Sequence, residues 1–235
     1  MAVSQSDYLE WLVDSLSKVD HIRPADFPNI DLYMDQVTTF MSTHLSNSKL
    51  HPDDKILTKT MINNYAKDNI LPAPVKKKYS KDHMIVLLCI YYLKNILSIN
   101  DIQNILNPLT ERFFNSESSN PANGNSESEN SDSNQNKLSM ENIYNEIYHT
   151  VKDELHYISE DVSQKIKAAK NTFKDYGDNK DIEFLHTFSL ICMLSYDVFL
   201  KKQVISNLIE KVKSDEEELK KESKKEVKKE SKKES

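Results

Sequence analysis

TKTMINNYAKDNILPAPVKKKYS, residues 58–80, sets a short polar helix pattern, two prolines and three consecutive lysines side by side in a chain that is acidic overall. Thr58 or Thr60 can cap a helix through MINNYAKDN, and Asn69 suits a left-handed stop because asparagine tolerates positive φ better than most residues. Pro72 and Pro74 then force their neighbours into extended geometry, so LPAPVKKKY fits a tight hairpin or an extended loop. A polar helix followed by a basic hairpin is the layout of a winged helix-turn-helix, whose second helix enters the major groove while the wing follows phosphates.

The residue types suit a polyanion, double-stranded DNA above all. Asn63 and Asn64 each offer a donor and an acceptor to a base edge, adenine in particular. The hydroxyls of Thr58 and Thr60, with the open N–H groups of a helix start, can take a phosphate oxygen. Lys59, Lys67, Lys76, Lys77 and Lys78, with Lys81 just beyond, supply cations that displace counterions, and Tyr65 and Tyr79 can add hydroxyl contacts. The plainer alternatives are a solvated lysine turn, asparagines that only cap or turn, and tyrosines at the edge of a core.

Upstream, SDYLEWLVDSLSKV places Tyr8, Trp11, Leu12, Leu16 and Val19 on one helical face. A second helix is expected to start at a capping Asp31 and run through LYMDQVTTFMSTHL. Downstream, Ser80 caps the apolar KDHMIVLLCIYYLKN, and Ser98 with Asp101 opens INDIQNIL near a capping box. Residues 115–137 contain no large apolar side chain and read as a flexible linker. Two long helical patterns follow, over residues 139–173 and 181–212, with DYGDN as the turn between them. The terminal KKES repeat stacks like charges at i,i+4 and is expected to be a solvated, frayed tail.

Bulk numbers remove several classes. The net charge of −6 leaves only local charge to support nucleic-acid binding, and two glycines in 235 residues leave no phosphate-cradling loop. Cys89 and Cys192 lie far apart in apolar runs and are expected to be small buried hydrophobes. FLHTFSLICMLSYDVFL is about long enough to span a bilayer, but His186 and Asp197 would be costly there, so a buried helix and no integral membrane segment are expected. His149, Asp153 and His156 share a helical face with metal-ligand spacing, which on a polar helix is far more often exposed histidine. No nucleophile or metallohydrolase motif stands out, so neither catalysis nor a cofactor is expected.

NNYAKDNILPAPVKKKYS, the apolar helix after it and SINDIQNIL together resemble the DNA-binding head of MerR-type regulators. With DLYMDQV upstream of TKTMINNY and KKKY, the signature is similar to a bacterial family of unknown function considered MerR-like, over roughly residues 8–110. By that resemblance Tyr65 matches an aromatic of the recognition helix, and Lys77, Lys78 and Tyr79 match the end of the wing. Asn63 stands where such heads carry a phosphate-binding arginine, and the wing lacks a glycine. The resemblance implies a cytoplasmic transcription regulator.

The expected fold is mostly α, with a winged head over 1–114, a linker over 115–137, a helical self-association or signal-input region over 138–213 and a charged tail over 214–235. The partners expected are double-stranded DNA and a second copy joined through the C-terminal helices. The competing expectation is a protein-interaction adaptor that keeps the fold without binding DNA.

Overall fold

The computed structural model describes residues 5–16, 21–49, 53–115, 138–176 and 180–230. Among them are seven α-helices and one two-stranded antiparallel sheet, so the fold is mostly α. Helix α1 is Gln5–Leu16, strand β1 Leu32–Tyr33, α2 Met34–His44, α3 Lys59–Lys67, strand β2 Lys78–Tyr79, α4 Lys81–Leu93, α5 Ile99–Phe113, α6 Met140–Lys170 and α7 Ile182–Glu230.

Helix α4 is the centre of the head. Its residues Met84 to Leu88, Ile90 and Tyr91 are buried, so it is covered on nearly every side. Around it pack Val37 and Met41 of α2, Ile62 and Tyr65 of α3, and Ile102 and Leu106 of α5. The core does not stop there: Met140 and Tyr144 of α6 and Ile209 of α7 belong to the same cluster. The Tyr144 hydroxyl donates to the Ile22 carbonyl, and Lys81 of α4 pairs with Glu141 of α6 at 2.6 Å.

The local start and stop signals act as the sequence indicates. Thr58 caps α3, its hydroxyl oxygen accepting the Met61 N–H at 3.2 Å. Asn69 ends α3 with φ 54°, and the Ile70 N–H returns to the Tyr65 carbonyl at 2.9 Å, which satisfies an otherwise open carbonyl. Ser98 and Asp101 form a capping box at α5. That helix continues through Pro108 to Phe113, further than INDIQNIL alone suggested.

Several expectations are corrected. The segment after Asp31 does not begin a helix: Leu32 and Tyr33 pair with Tyr79 and Lys78 as a strand, and α2 begins only at Met34. In α1 the packing face is Leu9, Val13 and Leu16 rather than the Tyr8 and Trp11 side. Tyr8 and Trp11 instead lie mostly exposed and against each other, with ring centroids 5.7 Å apart. The Lys/Glu repeat, expected as a frayed tail, is helical as far as Glu230 as the continuation of α7. Val19, the linker residues 116–137 and the turn residues 177–179 lie outside the described residues.

The largest correction concerns α7. Its apolar first half is not a buried helix; only 6 % of that window is buried. By length and composition it passes the test for a membrane-crossing helix, with mean hydropathy 1.3. Yet its polar groups are engaged within the protein: His186 Nε2 lies 3.1 Å from the Thr172 carbonyl, and Asp197 pairs with Lys165 of α6 at 2.7 Å. Farther along, Ile205 and Ile209 rest on the head. Cys192 is exposed on this helix, whereas Cys89 packs against the α4 core, where burial pushes its thiol up to about 11.

Candidate functional site

The two-residue turn between Val75 and Lys78 closes the hairpin expected to serve as a wing. The Lys78 N–H donates to the Val75 carbonyl at 2.9 Å, and Lys76 and Lys77 sit between them with φ 49° and 64°. Both central residues at positive φ make a turn whose twist matches a hairpin, a position that usually selects Asn-Gly. Lysine there crowds its Cβ against the backbone, at roughly 1–2 kcal/mol per residue. Lys76 and Lys77 are exposed at the tip, and Lys78 lies half-buried with its ammonium 5.4 Å above the Tyr33 ring.

Helix α3 divides cleanly between its two sides. Ile62 and Tyr65 face the core, while Lys59, Thr60, Asn63, Asn64 and Lys67 are all exposed. Residues 59, 63 and 67 follow at i,i+4 and 60 and 64 likewise, so the exposed set forms one face. Two contacts tie this face to the wing. Lys59 pairs with Asp35 at the start of α2, and two residues before Asp35, Tyr33 carries Lys78 above its ring. The α3 N-terminus and the wing therefore meet on the same rim, with β1 between them.

Not every residue expected at a nucleic-acid surface is there. Tyr65 and Tyr79 are core residues, 7 % and 4 % exposed, and burial raises both phenol pKa values. Their rings are held by the hydrophobic packing that fixes α3 and β2. Thr58 is half-buried and its oxygen is committed to the helix cap, which leaves Thr60 as the hydroxyl on the open face. Lys81 points away to Glu141, and the charge of Lys59 is partly balanced by Asp35. Tyr33, 54 % exposed beside the wing, was missed because LYM continued an apolar helical pattern. A strand of two residues is too short to show alternation.

The wing rests on a buried histidine. His83, 2 % exposed, is wedged edge-on against Tyr79 and Phe114, with centroids 5.5 and 4.7 Å away. The Ser80 N–H donates to its Nδ1 at 3.0 Å, which puts the ring proton on Nε2. Nε2 faces the Pro72 and Ala73 carbonyls at the base of the wing without reaching normal hydrogen-bond geometry. Burial lowers the His83 pKa, an effect that those carbonyls and Asp31 only partly oppose. Among the described residues no group of three or more side chains could hold a metal ion; His149 and His156 lie instead against the neighbouring Tyr148 and Tyr157 rings.

These elements define a small helical domain built on α4, with a basic two-residue hairpin turn beside a polar helix face. Residues 22–129 match the model of a family described as a domain of unknown function, DUF1836, and the chain carries that domain. No curated protein and no solved structure matches the chain.

Proposed function

We propose that the domain is a MerR-like winged helix-turn-helix that binds double-stranded DNA in a sequence-specific way and acts as a transcription regulator in the cytoplasm. In this reading α3 lies in the major groove with Thr60, Asn63 and Asn64 toward base edges, while Lys76, Lys77 and Lys78 hold the sugar-phosphate backbone. One observation carries it. Two adjacent lysines occupy left-handed backbone positions at the tip of a hairpin, beside an open polar helix face. Strain of that kind is kept where the surroundings fix it and concentrates at functional sites. A turn serving only to reverse the chain has no reason to prefer lysine over Asn-Gly.

The experiment is retention of fragmented genomic DNA on the immobilised chain at low and moderate salt, followed by sequencing and by titration of one recovered duplex. Asn64→Ala should relax preference at one base position by about 1–3 kcal/mol. Lys77→Ala should weaken all duplexes alike and flatten the salt dependence by about one unit. Equal loss on cognate and random DNA for Asn64→Ala removes the readout role.

The exposed apolar side of α7 favours a second reading, a protein-interaction adaptor that keeps this fold without DNA. No duplex retention at low salt, with stoichiometric capture of a purified protein, would select it.

A further inference from the structure

Two cavities meet at the C-terminal end of α4, on residues that neither α3 nor the hairpin supplies. The larger, about 500 Å³, is framed by Trp11 and Ser15 of α1, by Asn47, and by Tyr91, Tyr92 and Asn95. The smaller, about 230 Å³, is lined by Lys49, Lys55, Lys94 and Asp54. Ser48, Lys49, Tyr91 and Asn95 belong to both walls, so the two are lobes of one hollow. Together they fall within the roughly 300–1,000 Å³ of small-molecule sites.

The lobes differ in chemistry. Rings dominate the larger: Trp11 is 59 % exposed, and Tyr91 and Tyr92 form an edge-to-face pair with centroids 5.3 Å apart. Both phenols are anchored, the Tyr91 hydroxyl donating to the Ser48 carbonyl at 3.3 Å and the Tyr92 hydroxyl lying 3.1 Å from His21 Nδ1. Cations dominate the smaller lobe, where Asp54 offsets only one of the three lysine charges. A lysine just past a helix end ordinarily carries its ammonium out to water. Lys94 instead turns into the wall, donating to the Ile56 carbonyl at 2.9 Å with its ammonium 5.2 Å above the Tyr91 ring. That carbonyl takes one of its three N–H donors, and desolvation lowers its pKa, so an anion here would be bound by a cation short of water. Beside it the Ser48 hydroxyl is buried with no hydrogen-bond partner among the described residues, which is uncommon for a buried polar atom.

We propose that this hollow binds a mononucleotide, its base in the ring-lined lobe with Trp11 and its phosphate in the lysine-lined lobe with Lys94. The division into lobes selects the ligand. A ring that carries its charge directly, such as benzoate, fills one lobe only. A nucleotide separates base from phosphate by a sugar, which falls at the shared wall of Ser48 and Asn95. Any base has a π-face for an aromatic ring, and the exposed amides of Asn47 and Asn95 offer a donor and an acceptor to a base edge. Three ammonium groups disfavour a cationic ring. Since Trp11 and Ser15 come from α1 and the remaining walls from the head, a bound nucleotide would tie the two together. This inference is independent of DNA binding.

Trp11 is the chain's single tryptophan, so its fluorescence reports on this hollow. The test titrates the full chain with adenosine, guanosine, cytidine and uridine 5′-monophosphates in turn, exciting at the red edge of the indole band where the bases do not absorb. The expected result is saturable quenching by at least one of them, with its free nucleoside and inorganic phosphate each binding at least about tenfold more weakly. Lys94→Met should weaken the nucleotide about tenfold and Lys55→Gln about threefold, and neither should affect the nucleoside. Helical circular dichroism checks that Lys94→Met still folds, because its ammonium also holds the Ile56 carbonyl. If it does not fold, Lys55→Gln, on an exposed residue, decides. No saturable quenching at millimolar nucleotide overturns the proposal, as does nucleotide binding that the deciding lysine variant leaves unchanged. Nucleoside or inorganic phosphate binding as tightly as the nucleotide also overturns it, and benzoate binding as tightly does so in favour of a simple aromatic acid.

Discussion

Replacing the wing tip with the residues its backbone favours, Lys76→Asn with Lys77→Gly, should strengthen the fold and weaken DNA binding at once. Lys76 and Lys77 sit at φ 49° and 64°. Relief of the Cβ crowding is worth roughly 1–2 kcal/mol at Lys77, and less at Lys76 because asparagine keeps its Cβ. Glycine returns about 0.5–1 kcal/mol of this through the greater freedom of the unfolded chain. The net gain is about 1 kcal/mol, or a rise in Tm of about 2–4 °C for a protein of this size. The same variant removes two exposed cations, so the slope of log K against log salt on any duplex should fall by about two, at roughly 0.9 per phosphate contact. Thermal unfolding followed at 222 nm gives the first quantity, and fluorescence anisotropy across a salt series gives the second. A variant less stable than the original chain would show that the turn is not strained. An unchanged salt slope would show that the wing does not meet phosphate.

Three further outcomes follow from the packing. Ile62 is fully buried on the inner side of α3, so Ile62→Ala should lower stability by about 2–5 kcal/mol in denaturant unfolding, through lost burial and a residual cavity. His83 has its folded pKa depressed below 6.5 by burial, so stability should be complete above that pH and decline as pH falls through the folded pKa, because the unfolded chain takes up the proton first. Tm measured between pH 7.5 and 5 should therefore fall on acidification, and His83→Gln should flatten that part of the profile. Glu141→Gln, which removes the charge facing Lys81 at a partly exposed pair, should cost no more than about 1 kcal/mol, whereas Tyr144→Ala should cost about 3–5 kcal/mol.

What could be read from the sequence was local chemistry. Thr58, Asn69, Ser80 and Ser98 mark helix ends through hydrogen bonds made within three to five residues, and each lies where its own side chain predicts. The division of α3 into an inner Ile62/Tyr65 side and an outer polar side follows from a period of 3.6, although hydroxyl chemistry drew Tyr65 and Tyr79 to the wrong side. A tyrosine can present its oxygen or bury its ring, and only the surrounding core decides between them. Strand β1 was hidden because two residues cannot display a period, and its existence depends on a partner at residues 78 and 79. The exposure of α7 was hidden for the opposite reason. Its apolar pattern is strong, but whether another element covers it depends on how many helices the rest of the chain supplies.

The burial of Met140, Tyr144 and Ile209 in the core of the head bears on how a fragment of this protein should be cut. A piece trimmed to the family match ends at residue 129 and lacks all three side chains, together with the hydroxyl that holds the Ile22 carbonyl. It would expose apolar side chains of the shared core, and its aggregation would reflect the choice of endpoint rather than any property of the domain. Melting of the intact chain should accordingly be a single cooperative event for the head and the α6 end packed on it.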